Sequence, residues 1–306
     1  MKSTRVLILT LLAMIAFASN SLLCRAALKQ TNIDAATFTF VRIFSGAVAL
    51  GLLMSVRRRV IVDGTATPLV ESLSDSSLVT RHSSLRRGNW PSALALFIYA
   101  AGFSFAYTSL AAGTGALLLF GAVQGTMILW GLYKGERLSA IQIVGFIVAV
   151  AGLVVLMFPG VSAPSLVGSI LMLGAGVAWG IYSLRGKVEK NPASVTAGNF
   201  IRAVPFAALI SIIMLPWTRL DSLGIMYAMI SGGITSGLGY VIWYRALPSL
   251  TAASAATVQL SVPVFTATGG ILMLGEPTTL RYALASIAVL GGIALVALIP
   301  HSKGQR

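Results

Sequence analysis

The stretch YVIWYRALPSLTAASAATVQLSVPVFTATGGILMLGE, residues 240–276, decides the fold, because a related stretch occurs earlier in the chain. Residues 107–136 read YTSLAAGTGALLLFGAVQGTMILWGLYKGE. Each stretch passes from a tyrosine through a long apolar run with one glutamine, Gln124 or Gln259, to a Gly-Glu pair. The two Gly-Glu pairs lie 140 positions apart (275 − 135). Such self-similarity is the mark of an internal duplication.

A second set of matched residues relates the remainder of the chain. Arg25 matches Arg185 and Arg42 matches Arg202, each at an offset of 160 (185 − 25 and 202 − 42). The sequence therefore predicts two related halves, the first longer than the second because of one insertion.

Composition excludes a water-soluble protein. The 306 residues are 57% hydrophobic and 10% charged, with a mean hydropathy of +0.89, whereas soluble domains carry about 25% charged residues. The net charge of +14 would suit nucleic acid, but the basic residues fall in short gaps between apolar runs, as in membrane proteins. We therefore predict no nucleic acid partner. The sequence contains no P-loop, so we also predict no nucleotide partner and no direct drive by ATP. The single cysteine, Cys24, excludes an intrachain disulfide.

Ten apolar runs have the length that a membrane-spanning helix requires, about 20 residues. They cover about residues 6–27, 35–56, 90–110, 113–132, 138–158, 165–184, 196–216, 223–244, 251–273 and 279–299. The first run is too long for a signal peptide and lacks a convincing cleavage site. The sequence therefore predicts an all-α integral membrane protein with ten transmembrane helices.

The duplication divides these helices into two five-helix repeats, residues 1–56 with 90–160 and residues 161–300. Residues 57–89 are rich in serine and arginine and are predicted to form a cytoplasmic loop, and residues 301–306 a cytoplasmic tail. Because each repeat has an odd number of helices, the two must cross the membrane in opposite orientations. Inverted repeats of this kind are common in secondary transporters, whose substrate site lies between the halves near the bilayer midplane.

The distribution of lysine and arginine predicts the orientation. If the N-terminus is inside, sixteen of the 22 basic residues lie in inner segments. The outer segments hold four: Arg25, Lys29, Arg219 and Arg281. By the positive-inside rule, both termini are cytoplasmic, and we expect the protein in the plasma (inner) membrane of a bacterium.

With these features the chain resembles the drug/metabolite transporter superfamily, specifically its EamA-type ten-helix members. The matching features are Asn20, Arg42, residues 107–110, Gly135 to Arg137, Gln142 with Gly145 and Gly152, Trp243 to Leu247, Pro263 and Gly275 with Glu276. The loop at 57–89 departs from the compact pattern of that family. The resemblance implies a carrier for small organic solutes, often an exporter of amino acids or other metabolites. We expect no cofactor and no metal.

Pro263 lies near the centre of the predicted ninth helix, where it removes the hydrogen bond to the carbonyl of Gln259. Irregular backbone at that depth is tolerated only inside protein or beside a water-filled cavity. Pro263 is therefore either a gating kink beside a solute or a kink that only shapes helix packing.

The other candidates for a solute cavity are polar or aromatic side chains within helices: Ser19, Asn20, Tyr107, Gln124, Trp179, Tyr240 and Gln259. At the offset of 160, Ser19 and Asn20 match Trp179 and Gly180, so a polar face in one half would oppose an aromatic face in the other. Such a pairing suits an amphipathic solute. The alternatives are hydrogen bonds between helices and aromatic anchors at the membrane interface.

The charged residues within or between helices are predicted to be structural. Arg42 and Arg202 each lie about seven residues inside a helix, close enough for the guanidinium to reach the interface. Glu136 and Glu276 each follow a glycine that ends one helix, and are expected at the positive N-terminus of the next helix.

No aspartate or glutamate lies in the middle of any predicted helix. The proton exchange through a buried glutamate used by small multidrug transporters of the same superfamily therefore does not carry over, and neutral or zwitterionic solutes fit better than permanent cations. The leading hypothesis is a secondary carrier that exports a small organic solute by alternating access, with solute and lipid bilayer as its partners and a monomer compatible with the sequence. A membrane enzyme and a non-transporting scaffold or lipid-handling protein are the alternatives.

Overall fold

The computed structural model describes residues 2–62, 88–135, 137–160, 163–187, 189, 191–250 and 258–298. These residues form helices and short connections, and no strand occurs among them. The helices are α1 Lys2–Gln30, α2 Ala35–Val62, α3 Trp90–Tyr107, α4 Ala112–Tyr133, α5 Ala140–Met157, α6 Leu166–Lys187, α7 Pro192–Ile213, α8 Ser222–Ser249, α9 Ser261–Leu274 and α10 Leu280–Leu298.

Parts of several sequence predictions lie outside the described residues. They include Glu136, the start of the predicted ninth helix at 251–257, the tail at 301–306 and most of the loop at 57–89. At the start of that loop the chain differs from the prediction, because α2 continues through residues 57–62. Arginine is a good helix former, so the basic run Arg57 to Arg59 extends the helix instead of ending it.

Polar side chains at the helix starts satisfy backbone N–H groups that have no partner within the helix. Asn89, Asn191 and Asp221 each accept a hydrogen bond from the backbone N–H three residues further on, at the starts of α3, α7 and α8. Ser139 and Gln142 form a capping box at the start of α5. These capping residues define where the four helices begin.

The helices are suited to a bilayer on length and composition. Eight of them, α1 to α8, are long and apolar enough to cross a membrane, and α9 and α10 are shorter apolar helices. Large hydrophobic side chains also cover the outer surface, including Leu7, Leu52, Ile147, Leu209 and Ile287. A surface of this kind is compatible with lipid and not with water. The protein is therefore an integral membrane protein.

Helix packing follows a regular plan. Helix α1 packs against α8 and α9, and α6 packs against α3 and α4. Helix α2 packs against α7 and α8, and α7 packs against α2 and α3. Two further pairs are α4 with α9 and α5 with α10. The centre of the bundle therefore lies where α1, α2, α3, α6, α7 and α8 meet.

Helix α8 changes geometry halfway along its length. It is α-helical over Ser222–Ile230, π-helical over Ser231–Leu238 and α-helical again over Gly239–Ala246. Within the π-helical segment, Gly232 lies so close to the backbone of α2 that a Cβ atom would collide with the carbonyl oxygen of Arg42. Glycine is therefore required for the close approach of α8 to α2.

The peripheral helices α5 and α10 touch through their backbones. A Cβ atom on Gly145 would lie 2.6 Å from the carbonyl oxygen of Gly292, and a Cβ on Gly292 would collide with the carbonyl oxygen of Gly145. Small residues at helix contacts in membranes allow this close packing.

We predict that Gly292→Val destabilises the protein, because the added side chain forces α5 and α10 apart. Overpacking of this kind typically costs about 1–3 kcal/mol. The matched control is Gly291→Val, because a Cβ at position 291 has no atom within 4 Å. Thermal unfolding of both purified variants in detergent measures the difference, and equal melting temperatures would contradict the packing described here.

Candidate solute-binding site

Asn20 is the centre of a buried hydrogen-bond network. It lies on α1 and is 4% exposed. Its Oδ1 atom accepts a hydrogen bond from the hydroxyl of Ser231 at 2.6 Å and lies 3.3 Å and 3.4 Å from the hydroxyls of Thr235 and Ser236. Its Nδ2 atom donates to the Tyr99 hydroxyl at 3.2 Å. One amide thus joins α1 to α3 and α8.

The π-helical segment of α8 makes this convergence possible. A π-helix has a wider turn than an α-helix and often occurs at functional sites. Here it brings Ser231, Thr235 and Ser236 to the same side of α8, toward α1. Residues 231–238, SGGITSGL, are small or polar within an otherwise apolar helix. This composition could have indicated the polar centre from the sequence alone, but it was not among the predicted site features.

Arg42 completes the network from α2. Its Nη2 atom donates to the Tyr99 hydroxyl at 3.0 Å, and its Nε atom donates to the Ser236 hydroxyl at 3.3 Å. The guanidinium carbon also lies 4.8 Å from the ring centroid of Phe103, a cation–π distance. The side chain is 2% exposed. The expectation that Arg42 reaches the interface is therefore wrong, because Tyr99 and Ser236 hold it in the middle of the bundle.

Arg202, the counterpart of Arg42 in the second half, has a different environment. It is half-buried, and its Nη1 atom donates to the carbonyl of Gly198 in its own helix at 2.9 Å. The two matched arginines therefore differ in burial, and a structural role shared by both stays a prediction.

Aromatic rings lie directly beside the polar network. The ring of Trp179 on α6 lies 4.8 Å from that of Tyr99, 4.7 Å from that of Tyr240 and 6.3 Å from that of Phe17, between centroids. These distances are typical of favourable ring pairs. We call Asn20, Arg42, Tyr99, Trp179 and Tyr240 the central cluster.

The structure brings only some of the predicted cavity residues together. Asn20, Trp179 and Tyr240 belong to the central cluster, whereas Ser19 is a half-buried neighbour on α1. Tyr107 lies near the end of α3, where its hydroxyl donates to the carbonyl of Ala112 at 3.1 Å. Its position makes it part of the α3–α4 connection.

Gln124, Gln259 and Pro263 lie on other helices. Gln124 is buried on α4, and its Nε2 atom has no hydrogen-bond partner among the described residues. Gln259 is buried just before α9.

Pro263 lies in the first turn of α9, which begins at Ser261. Val258 and Gln259 are also helical and only Leu260 separates them from α9, so the helix is interrupted where Pro263 removes the hydrogen bond to the Gln259 carbonyl. Residues 251–257, the start of the predicted ninth helix, lie outside the described residues, and the gating kink stays a prediction.

Tyr99 and Phe17 were not predicted as site residues. Each lies in a continuous apolar run where its periodicity is that of any core aromatic. Only the packing of α3 and α1 against α6 and α8 brings them to Trp179. Among the described residues, no group of three or more His, Cys, Asp or Glu side chains lies close enough to hold a metal ion.

Glu276 has a different role from the one expected. It was predicted at the N-terminus of the helix that follows it, but its Oε2 atom accepts from the backbone N–H of Ala112 at the start of α4, at 2.7 Å. Its Oε1 atom pairs with Nε of Arg25 at 2.8 Å. Gly275, with a φ of 62°, reverses the chain direction and turns the carboxylate toward α1 and α4.

Two cavities lie at opposite ends of the central helices. The larger, about 500 Å³, is lined by the α1–α2 connection, the end of α3 and residues 216–219; we call this the Asp34 end. The smaller, about 10 Å³, is lined by the end of α6, the start of α7, Ser92 and Tyr244; we call this the Arg185 end. There Arg185 donates to the Ser92 hydroxyl at 2.8 Å and to Oδ1 of Asn89 at 3.1 Å.

Asp34 joins two connections beside the larger cavity. It accepts hydrogen bonds from the Thr37 hydroxyl at 2.6 Å and from the backbone N–H of Arg219 at 2.9 Å. Partial burial acts to raise the pKa of the Asp34 carboxyl, but these hydrogen bonds outweigh it and hold the pKa below its ordinary value. The carboxylate therefore stays ionised near neutral pH and keeps the α1–α2 connection attached to the α7–α8 connection.

The fold, with its apolar outer surface and buried polar centre, is that of a polytopic membrane protein. Residues 166–298 match the EamA-like transporter family. Over 296 residues, 97% of this chain and 96% of the relative, the sequence is 53% identical to the uncharacterized protein PA1977 of Pseudomonas aeruginosa. The chain belongs to the EamA-type transporters of the drug/metabolite transporter superfamily.

More distant relatives carry transporter names. The threonine/homoserine exporter RhtA of Escherichia coli (strain K12) is 34% identical over 167 residues, which are 52% of this chain and 55% of RhtA. An uncharacterized transporter of Archaeoglobus fulgidus is 29% identical over 212 residues, 65% of this chain and 72% of that one. One solved crystal structure shares the fold with a TM-score of 0.59 and 17% identity, covering 96% of this chain and 97% of that chain.

We predict that Glu276→Gln lowers the free energy of unfolding by about 1.5–3 kcal/mol, the range of hydrogen bonds to charged groups. The substitution leaves Arg25 without its counter-charge and weakens the bond to Ala112. In a double-mutant cycle, Arg25→Gln should cost much less in the Glu276→Gln background than in the wild type. Glu189→Gln is the control, and chemical denaturation in detergent is the measurement. Strict additivity would show that the ion pair contributes nothing.

Proposed function

We propose that this transporter is a secondary carrier that moves a small organic solute by alternating access, with the central cluster as its solute-binding site. The observation that carries the proposal is the position of the cluster, buried where helices of both halves of the chain meet. Asn20, Arg42 and Tyr99 come from the first half, and Trp179 and Tyr240 from the second. A polar group and several aromatic rings side by side suit an amphipathic solute.

Helix packing supports the proposal of two inverted repeats of five helices, residues 1–56 with 90–160 and residues 161–300. If α1 to α5 are exchanged for α6 to α10, the contact of α1 with α8 and α9 becomes that of α6 with α3 and α4. The pairs α2–α7, α4–α9 and α5–α10 are unchanged by the exchange. Under the same exchange, the Asp34 end becomes the Arg185 end.

The two cavities support alternating access. The α1–α2 connection and the end of α3 line one cavity, and their counterparts at the α6–α7 connection and the end of α8 line the other, yet one holds about 500 Å³ and the other about 10 Å³. In a carrier built from inverted repeats, exchanging the conformations of the halves opens one end and closes the other. The arrangement has the asymmetry of one such state, with the Arg185 end closed.

The solute class that we propose is an amino-acid-like or other neutral or zwitterionic metabolite, moved outward. Two observations support this class. RhtA carries the name of a threonine/homoserine exporter, and the central cluster contains hydrogen-bonding groups and rings but no carboxylate. The proposed mechanism needs neither a cofactor nor a chemical step, so we propose a carrier that is not an enzyme.

The flux test compares proteoliposomes containing the wild type, Asn20→Ala and Trp179→Phe. Asn20→Ala leaves the hydroxyls of Ser231 and Ser236 without their shared acceptor, and Trp179→Phe reduces the aromatic surface while keeping a ring. We expect Asn20→Ala to lower counterflow of a solute from an amino-acid and metabolite panel by about tenfold, the effect of one lost buried hydrogen bond. We expect Trp179→Phe to lower it by up to about tenfold, because ring pairs contribute about 0.5–1.5 kcal/mol beyond the area they bury.

Trp130→Phe is the matched control, because Trp130 is 46% exposed on the outer surface of α4. Size-exclusion profiles and melting temperatures confirm that each variant is folded. Unchanged counterflow in both site variants would remove the central cluster from the transport pathway. If the wild type transported no solute of the panel, the result would favour a scaffold or lipid-handling role over the carrier.

We further propose that the protein resides in the bacterial inner membrane with both termini in the cytoplasm, so that the Asp34 end faces outward. Cysteine labelling tests this orientation, because the native Cys24 is fully buried. A membrane-impermeant maleimide should label Leu220→Cys in intact spheroplasts. It should label Lys134→Cys only after the membrane is opened, since both positions are exposed but lie at opposite ends. The reverse pattern would invert the assignment.

A further inference from the structure

Arg42 is a buried cation whose contacts are all with uncharged groups. The Tyr99 hydroxyl, the Ser236 hydroxyl and the Phe103 ring surround its guanidinium. The titratable groups that face it are Tyr99, Tyr240 and Cys24, and none of these is a carboxylate. Among the described residues, the one Asp or Glu side chain in an ion pair is Glu276, and its partner is Arg25. A buried charge without a counter-charge is strongly unfavourable, so the position is suited to an anionic ligand.

Unused donor capacity remains in the central cluster. The Nη1 atom of Arg42 has no hydrogen-bond partner among the described residues, and a guanidinium can only donate. The Tyr240 hydroxyl, which can donate or accept, also has no partner within hydrogen-bond geometry there. The Tyr99 hydroxyl already accepts from Asn20 and Arg42, which leaves its own proton to donate to the nearby Tyr240 or to a ligand. The main acceptor nearby, Oδ1 of Asn20, is occupied by serine and threonine hydroxyls. Donors without acceptors complement an oxyanion.

The aromatic rings beside these donors restrict the chemical character of the part of the ligand that does not contact Arg42. Trp179 contacts the rings of Tyr99, Tyr240 and Phe17, so a solute held at Arg42 would place its remaining atoms against aromatic surface. No carboxylate of the central cluster is available to pair with an ammonium group on that solute. A carboxylate on an apolar or aromatic body therefore fits better than a phosphate or a strongly polar anion.

We propose that Arg42, with the hydroxyls of Tyr99 and Tyr240, binds the carboxylate of the transported solute, and that an α-amino group is not required. This extends the proposed solute class from neutral and zwitterionic metabolites to anions, because the carrier would accept organic monocarboxylates with an apolar body as well as, or better than, the corresponding amino acids. This inference rests on the proposed carrier function, and it makes Arg42 the residue that selects for the charge of the solute.

Three probes with the same phenyl body test the inference. 3-Phenylpropionate carries only the carboxylate, phenylalanine carries the carboxylate and an ammonium, and phenethylamine carries only the ammonium. Binding to purified protein is measured by calorimetry, and flux is measured in proteoliposomes. We expect 3-phenylpropionate to bind at least as tightly as phenylalanine, and phenethylamine to bind about tenfold or more weakly, since it offers no acceptor to the guanidinium.

Two substitutions assign the effect to individual groups. Arg42→Gln should weaken 3-phenylpropionate binding about tenfold or more and reverse the preference toward the neutral 3-phenylpropanamide, which a glutamine side chain can hydrogen-bond. Tyr240→Phe should weaken 3-phenylpropionate binding by a smaller factor, because it removes one donor and leaves the ring. The control is Arg202→Gln, which removes the half-buried arginine on α7 and should leave the preference unchanged.

The outcomes separate the inference from the function on which it rests. Binding of 3-phenylpropionate that depends on Arg42 without any flux would support the carboxylate site and contradict the carrier function. Flux that prefers phenethylamine, or that is unaffected by Arg42→Gln, would overturn the carboxylate site and leave the carrier intact. A wild type that binds none of the three probes would overturn the inference. If Arg42→Gln does not fold, Tyr240→Phe decides, because unchanged 3-phenylpropionate binding in that variant would overturn the carboxylate site.

Discussion

The fold depends on the requirement that polar groups inside a bilayer find their partners within the protein. Asn20 meets that requirement by accepting from hydroxyl groups of α8 and donating to Tyr99 of α3. The π-helical segment presents those hydroxyls together, and Gly232 permits the segment to approach α2. Local helix geometry, helix packing and the chemistry of the centre are therefore consequences of the same network.

Much of the architecture could be predicted from the sequence, because membrane helices are encoded by continuous runs of apolar residues. The runs near residues 90–110, 113–132 and 165–184 correspond closely to α3, α4 and α6. Glu276 shows the limit of that reasoning. Its distance along the chain from Arg25 and Ala112 is large, so its partners depend on which helices pack together and not on neighbouring sequence.

The candidate site could be predicted only in part, because its contacts also depend on which helices pack together. The pair Ser19 and Asn20 was matched with Trp179 and Gly180 through the offset between the halves, and the structure places both Asn20 and Trp179 in contact with Tyr99. Arg42 was expected at the interface because its depth alone permits the side chain to reach it. The hydroxyls that hold it in the interior come from α3 and α8. The short polar segment at residues 231–238, within the apolar helix α8, was the one local sequence feature that indicated these partners.

The contact between Gly145 and Gly292 has a further consequence. Since it is made by backbone atoms, it contains no rotamers that could be exchanged when the rest of the bundle changes shape. Helices α5 and α10 should therefore move together as one rigid body, with a constant separation in every state of the protein. Spin labels on their lipid-facing surfaces would give a fixed reference distance, against which changes between other helices could be calibrated.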